Sequence, residues 1–149
     1  VVTVTDGVVD GERLDRSGAA LADRLTEAGF DVVDRLVTPD GAGEVAEVLR
    51  RATAGFTGLV VTTGGTGFGP RDLTPEGTEL VLERQAPGLA EAMRLVNPLG
   101  RLPRGLAGTV GQCLVLNAPG SPAGAVECLD AVIDVVPHAL DLLAGGRPH

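Results

Sequence analysis

The chain predicts an α/β fold: a single domain over residues 1–149, built on a doubly wound, mostly parallel sheet with helices on both faces. Three observations predict it. Short β-branched runs alternate with segments whose apolar residues recur at helical spacing, and the connections between them are short. One run, LVVTT at 59–63, is apolar without alternation, as a central strand covered on both faces requires. The 149 residues also suffice to bury roughly two-thirds of the surface the unfolded chain exposes, without a disulfide or metal staple.

Residues 1–5 (VVTVT) read as the first strand, and DGVVDGERLDRS as an irregular loop, because Gly7, Gly11 and its aspartates favour bent backbone. Ser17 offers an N-cap for a helix in which Leu21, Leu25 and Ala28 recur at i, i+4 and i+7, and Gly29 stops it at C′. FDVVDRLV at 30–37 reads as the second strand, ended by TPD. Val45, Val48, Leu49 and Ala52 then mark one face of a helix that Gly55 closes. After the 59–63 strand, Thr74 as N-cap with Pro75 at N1 opens a helix to about residue 84, and Pro87 starts another to about 96. Residues 98–104 form an irregular connection. QCLVLN at 112–117 is the last core strand, followed by the turn APGSP. Ser121 and Pro122 start a helix apolar at Val126, Leu129, Ile133 and Val136, which Pro137 should break or kink.

Composition excludes several function classes. The formal net charge is −8, every basic residue is arginine, and Trp and Tyr are absent. Such a chain lacks both the basic stripe and the stacking aromatics of a nucleic-acid binder, so no nucleic-acid partner is expected. No uncharged apolar run reaches membrane-spanning length, since Glu127, Asp130, Asp134 and Asp141 interrupt the long C-terminal segment. The opening VVTVTDG carries neither a basic n-region nor a cleavage site, so no signal peptide is expected and the expected location is cytoplasmic. Cys113 and Cys128 both sit in apolar contexts and read as buried, reduced thiols.

In such sheets ligands collect beyond the carboxyl ends of the strands, where three candidate loops lie: 6–17, 64–74 and 118–121. In the second, Gly64, Gly65, Thr66, Gly67 and Gly69 stand between a buried strand and a helix start, so several backbone N–H groups can face outward with no Cβ in the way. That arrangement holds an anion, usually a phosphate. The alternative is a tight crossover that needs positive φ. The loop lacks the lysine of a Walker A motif and the acidic ribose ligand of a dinucleotide fingerprint. Asp72 follows the glycines, and a carboxylate beside a phosphate cradle calls for Mg²⁺ between them; a surface ion pair with Arg71 or a cap is the alternative. Asp40, at the end of the second strand, faces the same end of the sheet or serves as a helix N-cap. Arg71 and Arg104 read as phosphate forks or as solvated ion pairs. His138, in the last helix, reads as structural, and His149 is terminal.

The stretch TTGGTGFGPRDLTPEGT at 62–78 closely resembles the TTGGTG…RD-x-TPE signature of the MoaB/Mog family of molybdenum cofactor biosynthesis proteins. The resemblance continues in VTDGVVDGERLDRSG near the start, APGLAEAMR at 86–94, and LNAPGSPAGAVECLDAVIDVVPHALDLLAG at the end. It implies a cytosolic homotrimer that binds molybdopterin. In the Mog branch it implies transfer of AMP from Mg-ATP to the terminal phosphate of that dithiolene pterin, with release of pyrophosphate. The family's two functional acidic positions fall on Asp40 and Asp72, which makes them the candidate catalytic residues and Mg²⁺ ligands. Gly64, Gly65, Thr66 and Gly67 become the phosphate or pterin cradle, joined by Ser121 from a turn like NLPGSP, here with Ala118 for the leucine. One departure stands out: NPLGRLPRG at 97–105 replaces a stretch like TP-x-A-x-LSRG, with Pro103 in the serine's place.

Adenylyl transfer suits a chain with so little acid-base machinery. The nucleophile is already an anionic phosphate oxygen, so positioning and charge neutralisation carry the rate. The expectation is therefore a molybdopterin adenylyltransferase with ATP as co-substrate. The alternative is a MoaB-type trimer that binds molybdopterin without transferring AMP. An assembly domain, as in gephyrin-like fusions, is a third reading, disfavoured by the absence of a linker.

Overall fold

The computed structural model describes residues 1–11 and 14–147; Glu12, Arg13 and His149, which fall within the stretches read above, lie outside the described residues. Six strands form one sheet: β1 (Val2–Val4), β2 (Leu36–Thr38), β3 (Gly58–Thr63), β4 (Arg84–Gln85), β5 (Ala107–Val110) and β6 (Cys113–Ala118). Their order is β2-β1-β3-β6-β5-β4. The first four in that order are parallel, whereas β5 runs antiparallel to β6 and β4 antiparallel to β5. The expected mostly parallel, doubly wound sheet is therefore present, with an antiparallel edge.

The helices divide between the two faces because alternate residues of the central strands point to opposite sides. On one face, Val61, Leu114 and Leu116 pack with residues of α2 (Arg16–Glu27), α5 (Pro87–Leu95), α6 (Pro122–Asp130) and α7 (Val136–Leu143), including Leu21, Leu25, Met93, Leu129 and Val136. On the other, Val2, Val4, Val60 and Val115 pack with Val45, Val48 and Leu49 of α3 (Ala42–Thr53). A six-residue helix, α4 (Thr74–Glu79), lies on α3, where a Cβ on Gly77 would press on Ala42 O and Val45.

Several boundaries differ from expectation, each for a local reason. β2 covers three residues instead of 30–37, because its partner β1 begins at Val2, opposite Leu36, and offers no ladder to 30–35. The loop after β1 contains a short helix, α1 (Asp6–Val9), capped by Thr5, whose hydroxyl accepts from Gly7 N. The cap of α2 is Asp15, not Ser17; its Oδ1 accepts from Gly18 N and from Thr3 Oγ1 at 2.9 Å each. α4 stops well short of residue 84, and Arg84 is spent in β4. β5 is an addition to the expected strands, although it forms a hairpin with β6 through Gly111-Gln112 with Gly111 at φ +56°, a pattern the sequence displays. Pro98–Arg101 is one 3₁₀ turn. Pro137 neither kinks nor breaks α6, which ends at Asp130; it sits in the first turn of α7, where its missing N–H costs nothing.

Candidate functional site

β1, β2, β3 and β6 deliver their chains to one end of the sheet, and an open cleft of about 430 Å³ lies there. Thr63, Gly64, Gly65, Asp40, Asp72, Asp15, Arg16, Gly120 and Pro122 are among its lining residues. Of the expected site residues, Asp40, Asp72, Gly64 and Gly65 are thus brought together at the cleft, while Thr66, Gly67 and Ser121 are not among those that line it.

Local chemistry fixes the strand ends against each other. Thr63 Oγ1 donates to Pro119 O (2.7 Å), and Gly64 N donates to Ala118 O (3.2 Å), which ties the glycine loop to the turn after β6. A Cβ on Gly64, at φ +99°, would collide with Val4 O, and one on Gly65, at φ +65°, with Thr74 Oγ1 while lying 3.1 Å from Asp40 Oδ1. Both positions therefore require glycine. Beneath the loop, the buried Asn117 donates from Nδ2 to Thr62 Oγ1 and Thr78 Oγ1 (3.0 Å each) and accepts from Leu106 N. Ser121 is the N-cap of α6, its Oγ accepting from Gly124 N at 3.2 Å.

The loop carbonyls decide where its amides point. Gly64 O accepts from Thr74 Oγ1 and Gly65 O from Thr74 N, both at 2.9 Å. Thr66 O accepts from Arg104 N and Gly67 O from Arg104 Nε, again at 2.9 Å. In a planar trans peptide the N–H points opposite to the preceding C=O. The amides of Gly65, Thr66, Gly67 and Phe68 are therefore turned away from Thr74 and Arg104, and they have no acceptor among the described residues. Gly64 N, by contrast, is spent on Ala118 O. Because α4 is so short, an anion at this loop would meet these amides and not an extended helix dipole.

Three carboxylates converge beside this loop. Asp6 and Asp40 exchange reciprocal bonds: Asp6 N donates to Asp40 Oδ2 and Asp40 N to Asp6 Oδ1, at 3.1 Å each. Arg71 neutralises Asp6 with Nε and Nη2 (2.7 and 3.1 Å), donates from Nη2 to Asp40 O (2.8 Å), and holds the Asp6 carboxyl below the usual range. Burial, reinforced by the negative charges of Asp6 and Asp72, raises the carboxyl of Asp40 above that range. Asp40 is not the helix cap of its alternative reading, since the N-cap of α3 is Gly41. Asp72 turns one oxygen onto its own loop, where Oδ2 accepts from Gly69 N at 2.8 Å.

Sequence reasoning missed Asp6 and the internal role of Arg104. The VTDG stretch signalled the first, but it read as loop; the second lay in the segment that departs from the family pattern. Arg71 and Arg104 are both engaged within the chain, as ion pairs with Asp6 and Glu76. Cys113 and Cys128 are free and buried, and burial raises both thiols. No helix among the described residues is long and apolar enough to cross a membrane.

Residues 1–138 match the family model described as probable molybdopterin binding domain. The chain is 34% identical over 152 residues to a molybdopterin adenylyltransferase of Helicobacter pylori, covering 97% of this chain and 86% of that protein. It is similar to the crystal structure of the molybdopterin biosynthesis enzyme MoaB from Thermus thermophilus, with a TM-score of 0.89 and 45% identity over 97% of this chain and 94% of that one. The Mog protein of Mycobacterium ulcerans gives a TM-score of 0.88 and 39% identity, covering 95% of each chain. The fold, the glycine loop built from the TTGGTG…RD-x-TPE residues and these matches agree: the chain belongs to the MoaB/Mog family of molybdopterin-binding proteins of molybdenum cofactor biosynthesis.

Proposed function

We propose that this protein is a molybdopterin adenylyltransferase, transferring AMP from Mg-ATP to the terminal phosphate of molybdopterin. The observation that carries this reading is the row of amides from Gly65 to Phe68, without an acceptor among the described residues, which starts in the cleft wall and runs beside Asp40 and Asp72. A phosphate oxygen of the pterin attacks the α-phosphorus of ATP; a phosphoanhydride bond forms, the α–β bond breaks, and pyrophosphate leaves. The amides of the glycine loop bind and orient a phosphate group, and no side chain is required to remove a proton from the nucleophile. Ser121, at the adjoining turn, presents a hydroxyl that still has its own proton to donate.

The donor set fits magnesium. Mg²⁺ is usually held by one or two carboxylates, with phosphates and water completing its octahedron, and Asp40 and Asp72 supply such a pair. The raised carboxyl of Asp40 reflects burial and negative potential that a cation would relieve. When bound, Mg²⁺ would neutralise charge between the phosphate groups. Asp40 and Asp72 would hold it, and Arg71 keeps the third carboxylate, Asp6, occupied.

A homotrimer belongs to this reading. It is supported by large apolar side chains exposed along one stretch, Leu95 (79%), Leu99 (70%) and Leu102 (55%), which an interface would cover. A cytoplasmic setting is supported by the two free, buried thiols. One residue favours a second reading: Pro103 lacks the hydroxyl that the family pattern carries there, which suits a trimer that binds molybdopterin without adenylylating it. Incubation of the purified protein with molybdopterin, ATP and Mg²⁺ should yield adenylylated pterin and pyrophosphate by mass spectrometry. Pterin binding without product would select the second reading, and light scattering that gave a monomer would remove the trimer.

A further inference from the structure

We propose that Arg104 is a positioning residue of this site, which fixes the orientation of the glycine-loop amides and the placement of Asp72; the inference rests on reading that loop as a phosphate cradle. An ordinary ion pair would use one edge of the guanidinium. Arg104 does pair with Glu76, whose carboxyl it holds below the usual range, but its remaining donors go to main-chain oxygens of the loop. Nε donates to Gly67 O at 2.9 Å and Nη2 to Asp72 O at 2.6 Å, while the backbone N of the same residue donates to Thr66 O at 2.9 Å. The guanidinium carbon also lies 5.9 Å from the centroid of the Phe68 ring. One residue thus grips Thr66, Gly67, Phe68, Asp72 and the first turn of α4.

The grip has a directional consequence. With Thr66 O and Gly67 O drawn to Arg104, the amides of Gly67 and Phe68 must face the other way. Thr74 does the same for the amides of Gly65 and Thr66. Half of the cradle therefore depends on a residue that lies 37 positions beyond Gly67 along the chain. Its own placement is secured by Gly105, where a Cβ would meet Asn117 O at 2.6 Å, so the segment lies directly on β6. Because the guanidinium is occupied by Glu76 and two main-chain carbonyls, it acts through the loop and not by touching phosphate. The planar fork matters, since lysine has one nitrogen and cannot serve separated acceptors in fixed directions.

Three variants test this: Arg104→Met, Arg104→Lys and Glu76→Gln. ¹⁵N relaxation should show lower order parameters for the amides of residues 66–69, 71 and 72 in Arg104→Met, with β3 unchanged. Inorganic pyrophosphate should bind about tenfold more weakly or worse, and kcat/KM for adenylyl transfer should fall by about 10²-fold, as for a misplaced reacting group. Arg104→Lys should recover little, whereas Glu76→Gln, which leaves Arg104 its loop carbonyls, should stay within a few-fold of wild type. Wild-type loop order and pyrophosphate affinity in Arg104→Met, with only a lower melting temperature, would overturn the proposal and leave a stabilising ion pair. If Arg104→Met does not fold, Arg104→Lys decides on the same two readouts. If the wild-type protein itself forms no adenylylated pterin, the adenylyltransferase reading fails, and the order parameters alone still decide the role of Arg104.

Discussion

The sheet has a hollow at each end, and the two differ in kind. At the amino ends of the parallel strands lies the larger, about 530 Å³, lined mainly by apolar side chains such as Val2, Phe30, Val32, Phe56 and Leu59. At the carboxyl ends lies the smaller, about 430 Å³, with Asp15, Asp40, Asp72 and the left-handed Gly64 and Gly65 in its wall. Size and apolarity favour the first as a ligand site; convergent polar groups and a raised carboxyl favour the second. The difference follows from chain direction. Strands leaving the sheet at their carboxyl ends enter loops whose amides need partners, and here several amides find none among the described residues.

Substitutions at the two ends would break or sharpen that contrast. The largest effect is expected from Gly64→Ala at the carboxyl end: a Cβ meets the Val4 carbonyl oxygen at a φ that alanine resists. The expected cost is about 3 kcal/mol or more in urea unfolding, with loss of adenylyl transfer. Gly111→Ala, at positive φ but with open space around it, should cost only about 1 kcal/mol.

Asp72→Asn comes next. The amide oxygen can still accept from Gly69 N, so stability should change by no more than about 0.5 kcal/mol. Its kcat should fall by about 10²-fold, because a charge that would orient Mg²⁺ is gone. A wild-type rate in this variant would move the function to the binding-only reading.

For Asp40→Asn the pH dependence is the informative measurement. The folded-state carboxyl is raised, so between its unfolded and folded values the native chain holds a proton that the unfolded chain has lost. Stability from this group falls as pH rises through that window. Asp40→Asn should therefore raise the melting temperature at neutral pH, by at most about 2–4 °C, and the gain should vanish in acid. Activity should fall, and an acid limb of the wild-type kcat/KM profile set by this raised carboxyl should disappear. Asp6 works in the opposite sense: its lowered carboxyl contributes stability at neutral pH that is lost as pH falls through its folded value.

The smallest effect is expected at the other end. Val33→Ser alters a mostly exposed side chain in the wall of the larger hollow. It should leave kcat/KM unchanged within about twofold and stability within about 0.5 kcal/mol. A roughly tenfold kinetic effect there would mean that the apolar hollow communicates with, or belongs to, the site.

Much was legible from residue order alone. Continuous apolar runs specified the parallel core of β1, β3 and β6, because burial on both faces leaves a sequence pattern that tertiary detail cannot hide. The glycine cluster specified a loop of unusual backbone, and Asp40 and Asp72 lie at the carboxyl ends of the strands, as expected, because strand direction orders the loops. Ser17 against Asp15 shows the limit: two good caps two residues apart compete, and the choice went to the one that Thr3 also engages. β5 and β4 were missed because an antiparallel edge of two- and four-residue strands carries little period of its own.

Sequence by itself therefore determined the fold class, the family and the position of the glycine loop, since each is written in local pattern and spacing. Only the tertiary structure decided how that loop is held. Reciprocal bonding between Asp6 and Asp40 spans 34 residues, and the contact of Arg104 with Gly67 spans 37. Hydrogen bonds are short and directional, so which distant donor meets which carbonyl depends on the packed positions of whole elements. No spacing in the chain encodes that choice.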